Sequence, residues 1–287
     1  MLQSFEEWLA TVPLWMFAFI LFGGMFASSA TGTWLRKRLD RSKGTDGKSR
    51  EEESGQQALM VSSVMGLLAL LVGFTFSMAV DRYDARRLNV LYEANTIGTT
   101  YLRSQLLEEP HRARLSKLLV DYTDVRIDLA TATRRPDAKK LSEESDRLIA
   151  DLWTATVAAF PSMRPYDFSN SYLQAMNALI DMDSARRAGR SAHVPSEVFL
   201  VLLLYQFVAA GVVSYVLIRH RGRGIAIFLF ILFGIAFLLV LDIDRPTSGG
   251  IKESQLPMLQ LREFMKAQPP ESFDRFNLPA KVPPEAQ

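Results

Sequence analysis

Apolar positions along this chain gather into four long blocks separated by strongly polar segments. Residues 8–35, 54–80, 198–218 and 224–241 contain no charged side chain. A bilayer core of ~30 Å is crossed by roughly 20 residues of helix, and backbone amides in lipid must be satisfied inside the segment. The pattern therefore predicts four membrane-spanning helices. The first covers about residues 13–34, with Trp15 and Trp34 near its ends, where amphipathic rings favour the headgroup layer. Residues 2–9 predict a short interfacial helix before it. Ala27-Ser28-Ser29-Ala30 resembles a signal-peptidase region. The segment before the run carries Glu6 and Glu7 but no Lys or Arg, and Arg36-Lys37-Arg38 follows it as a stop, so the span is read as retained.

Between the blocks the pattern changes character. Residues 36–57 are rich in Gly, Ser, Lys and Glu, have almost nothing apolar to bury, and predict a basic, mobile loop. The second span, 58–80, has no stop signal at its far end. Charge begins at Asp81, yet neither Pro nor Gly intervenes before Gly98, so the helix is predicted to run on to about Leu107, ahead of Pro110. That is about 50 residues, or roughly 75 Å of rod. Residues 81–195 then show helical spacing throughout. Leu115, Leu118, Tyr122, Val125 and Leu129 share one face; Leu141, Leu148, Leu152 and Ala159 share the next; Tyr172, Met176, Leu179 and Asp183 continue the pattern. Breaks fall at Pro110, Pro136 and Pro161 to Pro165. Pro195 opens the third span, 196–218, and Arg219, Arg221 and Arg223 mark a tight turn into the fourth, 224–242. A loop and a short helix from Leu256 to Met265 follow within 243–268, and the proline-rich tail, 269–287, reads as disordered. The fold class is all-α: a four-span transmembrane protein with a large helical extramembrane domain between spans 2 and 3.

Composition narrows the chemistry. The net charge of +2 and the lack of a basic stripe interleaved with aromatics argue against a nucleic-acid partner. The chain has no cysteine, which removes disulfides and thiolate metal sites. Its histidines, His111, His193 and His220, stand too far apart to form a local metal motif. No Gly-rich phosphate loop, nucleophile elbow or paired metal-ligand motif occurs. The expectation is no catalytic residue, no metal and no cofactor.

The informative segment is 67–95. Ser62, Gly66, Ala69, Gly73 and Ser77 recur at spacings of four, three, four and four, within about 80° of a helix, and such residues let backbones approach closely in lipid. Leu70 and Phe74, with Ser63 and Leu67, occupy the adjacent sector. Copies of this helix packed through the small stripe would turn Leu70 and Phe74 towards a shared axis. The result is an apolar neck with Asp81 and Arg82 at its mouth. Apolar constrictions gate by dewetting and charged rings bias the approaching ion. Glu93, Asn95 and Thr99, further along the helix, are candidate vestibule residues. The competing reading is a span that packs against its neighbours, with Phe and Leu facing lipid.

The run Gly73-Phe74 followed by Arg82-Tyr83 resembles the bestrophins, a family of pentameric ion channels. Gly73-Phe-Thr-Phe-Ser-Met-Ala79, Arg82-Tyr-Asp-Ala-Arg-Arg87 and Glu93-Ala-Asn95 are similar to a bacterial bestrophin-like family. The resemblance implies a homopentamer with the second span lining the pore and inorganic ions as its cargo. Phe74 and Leu70 would be neck residues. One turn earlier the family has a bulky apolar residue where this chain has Gly66, which leaves Leu67 or Ser63 for that place. The family's acidic calcium cluster after the fourth span is reduced here to Asp242 and Asp244, too few for the roughly six to eight oxygens calcium takes. Known members pass anions and some bacterial relatives pass cations; anions are the expectation.

The reading is thus an oligomeric channel in a bacterial plasma (inner) membrane, anchored in the lipid bilayer. The alternative is a non-conducting membrane scaffold or sensor. Orientation is contested. Lys and Arg in 36–50 and 219–223 place those loops in the cytosol by the positive-inside rule, whereas the resemblance places the large domain there.

Overall fold

A computed structural model of the chain describes residues 12–40, 49–132, 135–217, 220–246 and 249–275. The expected interfacial helix at 2–9, residues 41–48 of the basic loop, Arg219 and the tail beyond 275 lie outside the described residues. Among the described residues eight α-helices follow in order: α1 (Leu14–Asp40), α2 (Ser49–Ser104), α3 (His111–Thr131), α4 (Arg135–Met163), α5 (Phe168–Ser191), α6 (Ser196–Val216), α7 (His220–Asp244) and α8 (Leu256–Ala267), then a 3₁₀ turn (Pro270–Asp274). No strand occurs among the described residues. Among the described residues four helical stretches are long and apolar enough to cross a membrane. The chain divides into two compact units: residues 1–84 with 191–252, and residues 85–190 with 253–287.

The first unit holds the spans. Its core joins Phe17, Leu21 and Met25 of α1, Leu68, Val72 and Ala79 of α2, Phe199 and Leu202 of α6, and Phe237 and Val240 of α7. Phe237 stacks on Phe17 at 5.7 Å and meets Phe199 edge-on at 6.0 Å. The α1–α6 crossing is made of small residues. Ser28 Oγ donates to the Phe207 carbonyl, and the Ser29 and Ser214 hydroxyls lie 2.6 Å apart. A Cβ on Gly32 would overlap the Gly211 carbonyl oxygen, a backbone atom that cannot swing aside. Gly32→Ala is therefore expected to destabilise the protein by about 1–3 kcal/mol, the usual cost of overpacking. Gly23→Ala, whose Cβ would meet nothing within 4 Å, is the neutral control. Thermal midpoints of the two variants in detergent check this; equal midpoints would remove the crossing from the argument.

After α7 the chain is tied back by carboxylates. Asp242 accepts the Gly250 and Ile251 amides at 2.7 and 3.1 Å, and Asp244 accepts the Val194 amide at 2.9 Å. Arg245 Nη1 donates to the Val12 carbonyl at 2.8 Å. Both aspartates are buried, so each works as an anchor for backbone amides.

The second unit is built around Tyr101, Leu115, Leu119, Tyr122, Leu152, Tyr172, Met176 and Leu179, with Met258 and Met265 of α8 in the same core. Three differences from the sequence reading appear. First, α2 begins at Ser49, inside the segment expected to be a loop. Extending an existing helix adds a hydrogen bond per residue without a new nucleus, so a polar stretch can be helical with no apolar face of its own. Second, the buried face of α3 runs through Leu115, Leu119, Tyr122 and Arg126, leaving Leu118, Val125 and Leu129 half-buried. Third, the start of the expected disordered tail is structured. Asp274 takes a two-pronged bond from Arg112 at 2.7 and 2.9 Å, and Tyr101 donates to the Gln268 carbonyl at 2.7 Å.

Candidate functional site

Within the first unit, α2 presents two opposed faces. Leu68, Val72, Thr75 and Ala79 recur at helical spacing and are buried. Thr75 satisfies its hydroxyl by donating to the Leu71 carbonyl at 2.8 Å. The opposite arc holds every residue singled out from the sequence as packing or neck. Ser62, Gly66, Ala69, Gly73 and Ser77 are all exposed in the single chain. Phe74 is 62% exposed, Leu70 52% and Leu67 46%. A Cβ at Gly66 or Gly73 would meet nothing within 4 Å. Nothing in this chain's own packing therefore requires glycine at either position, although glycine in a helix interior costs about 1 kcal/mol relative to alanine.

Asp81 is exposed and follows Phe74 by seven residues, which returns it to the same side of the helix. Arg82 is turned about 100° further round and is half-buried.

In the second unit the expected vestibule residues separate. Asn95 and Thr99 are exposed and border a groove of about 240 Å³ with Thr96, Arg103, Gln174, Ala175 and Ala178. Arg103 donates to the Ser171 carbonyl at its edge. Glu93 is a correction: it is 1% exposed, inside the domain, and lines no vestibule. Its carboxylate takes a hydrogen bond from Arg126 Nε at 2.7 Å, and its other oxygen lies 3.2 Å from Arg186 Nε. Arg126 also donates to Asp183 at 2.7 Å. Tyr122 completes that carboxylate's shell at 3.4 Å, and Arg187 donates to its other oxygen at 2.8 Å. A buried carboxylate with this many cationic neighbours is a counter-ion, held because isolated buried charge is costly.

Burial works against both guanidiniums. Tyr122 and the carboxylates of Glu93 and Asp183 nonetheless hold Arg126 above the ordinary arginine range, while Arg186, sharing one carboxylate, falls below it. The sequence reading missed this network. Its signal was Asp183, a carboxylate at the fourth position of an otherwise apolar stripe.

These features define a multi-span helical membrane protein whose second span leaves one whole face uncovered. A family model described as the Bestrophin-like domain matches residues 23–257, and the chain belongs to that family. The solved structures it is similar to include a bacterial bestrophin homologue from Klebsiella pneumoniae with a tyrosine-to-alanine substitution (TM-score 0.62, 13% identity, covering 88% of this chain and 96% of that one). A second structure of that organism's homologue gives TM-score 0.62 at 12% identity, covering 85% and 95%. A third, described as a membrane protein with a proline-to-alanine substitution, gives TM-score 0.63 at 12% identity, covering 86% and 96%. At such identities the likeness is one of fold. No curated protein matches the chain.

Proposed function

We propose that the protein is an ion channel of a bacterial plasma membrane, a homo-oligomer, by resemblance a pentamer, whose α2 helices surround the ion pathway. Leu70 and Phe74 form an apolar neck, with Leu67 below them where Gly66 leaves space. The observation that carries this reading is the uncovered face of α2: small residues beside large apolar ones, opposite the buried face. A neighbouring copy seated on Ser62, Gly66, Ala69, Gly73 and Ser77 explains two glycines that the single chain does not need. In a closed ring each residue recurs once per subunit, so one phenylalanine becomes a collar.

Family resemblance favours anions. One observation favours cations instead: Asp81 shares the side of Phe74, and Arg82 does not. Recording purified protein in planar bilayers under an asymmetric salt gradient tests both points. Unitary currents are expected, and the sign of the reversal potential assigns the ion. Single subunits by mass measurement, or silence across ions, pH and voltage, would leave the scaffold or sensor reading in place.

A further inference from the structure

A groove in the membrane unit has a chemistry of its own, and it does not rest on the channel reading. Between α1 and α6 lies a cavity of about 300 Å³, lined by Gly32, Leu35, Val208, Gly211, Val212 and Tyr215 among others. That is the lower end of the ~300–1,000 Å³ range of ligand pockets. Gly32 and Gly211 offer only backbone to it, at an approach so close that a Cβ on Gly32 would overlap the Gly211 carbonyl oxygen. The apolar walls stand open in the chain: Leu35 is 44% exposed and Val208 52%. Lipid tails are as apolar as such walls, so an acyl chain fills the groove by dispersion contact with its lining.

One end of the groove is cationic. Arg36 follows Gly32 by four residues and Tyr215 follows Gly211 by four, so each lies one turn on along the same side of its helix. The two meet, with the Arg36 guanidinium carbon 5.2 Å from the centroid of the Tyr215 ring. Lys37 and Arg38 are exposed beside them, and Arg38 lies 5.2 Å from the centroid of the Trp34 ring. Trp34 is 57% exposed, and tryptophan favours the headgroup layer. The seam thus passes from an apolar section within the spans to a basic one at their end. A guanidinium has five N–H donors in a fork that matches phosphate oxygens, so Arg36 can serve a phosphate while it stays against Tyr215. Apolar length followed by positive charge complements an amphiphile of negative charge, and basic pockets between spans take anionic headgroups. A zwitterionic lipid would bring its own cation towards the same arginines, and a free phosphate would gain nothing from the groove.

We propose that the α1–α6 groove binds one anionic phospholipid per subunit, with an acyl chain along Gly32 and Gly211 and the headgroup phosphate held by Arg36 beside Tyr215. The test is native mass spectrometry of the protein in detergent, given equimolar phosphatidylglycerol and phosphatidylcholine with identical acyl chains. One phosphatidylglycerol per subunit is expected to be retained, several-fold above phosphatidylcholine. Arg36→Gln should bring the two lipids to near-equal retention. Val208→Trp, which fills the groove from its exposed side, should lower retention of both. Equal retention of the two lipids by the native protein overturns the proposal, as does an unchanged preference in Arg36→Gln. A fall in oligomer mass in Val208→Trp assigns the groove to contact between copies and overturns it too. A phosphatidylglycerol carrying a photoactivatable diazirine in its acyl chain gives a readout that needs no variant. Adducts on Leu35, Val208 or Val212 of the native protein support the site, and labelling confined to other positions rejects it.

Discussion

Glu93→Ala is expected to lower stability by about 3–5 kcal/mol, the cost of breaking a buried charge network by removing one partner. The carboxylate is 1% exposed and faces two guanidiniums, one hydrogen-bonded at 2.7 Å and one at 3.2 Å. Its loss strands Arg186 outright and leaves Arg126 with Asp183 alone. For a chain of this size the thermal midpoint should fall by roughly 6–20 °C. Replacing the pair costs less than breaking it, since apolar groups of similar volume need no counter-charge. Glu93→Leu combined with Arg186→Met should therefore recover much of the loss. Circular dichroism melts of the single and double variants in detergent measure both effects. A single variant within a few tenths of a kcal/mol of the native protein would show that the network does not hold the domain together.

Phe74→Ala is expected to raise conductance several-fold, and to do so without disturbing assembly. An apolar neck restricts ions by expelling water from a narrow section, and alanine both widens that section and shortens the dry path. Phe74 is 62% exposed in the single chain, so truncation leaves no cavity in the chain's own core. Phe76 supplies the control. It is 40% exposed but sits about 200° round the helix from Phe74, beside Ala69 at the edge of the small-residue stripe and away from the axis if Phe74 faces it. Phe76→Ala should leave unitary current unchanged. Unaltered current from a correctly assembled Phe74→Ala, or a larger effect at Phe76, would reverse the assignment of faces.

The membrane architecture was legible because its signal is crude and strong: four charge-free runs of the right length. The helix that carries Phe74 was legible for a similar reason, since no proline separates Ala58 from Ser104 and the interior glycines, Gly66, Gly73 and Gly98, each cost only about 1 kcal/mol relative to alanine. The buried charge network was not. Arg186, Arg187 and Arg190 look in sequence like basic residues flanking a span, and Glu93 like a polar residue on an exposed rod. Pairing between residues 93, 126 and 183 depends on how three helices pack, which spacing along one helix cannot express. The extent of the extramembrane unit was hidden likewise. Glu253, Met258, Met265 and Asp274 join residues 85–190, yet two spans separate them in sequence.

That last arrangement orders events at the ribosome. The segment that supplies Met258 and Met265 to the core is synthesised only after α6 and α7, so residues 85–190 emerge and wait, with an apolar seam uncovered, while two further helices are threaded into the bilayer. The core of that unit is thereby complete only after α6 and α7 have been made. A nascent chain stopped after α7 should remain a substrate for cellular proteases, even with all its spans in place.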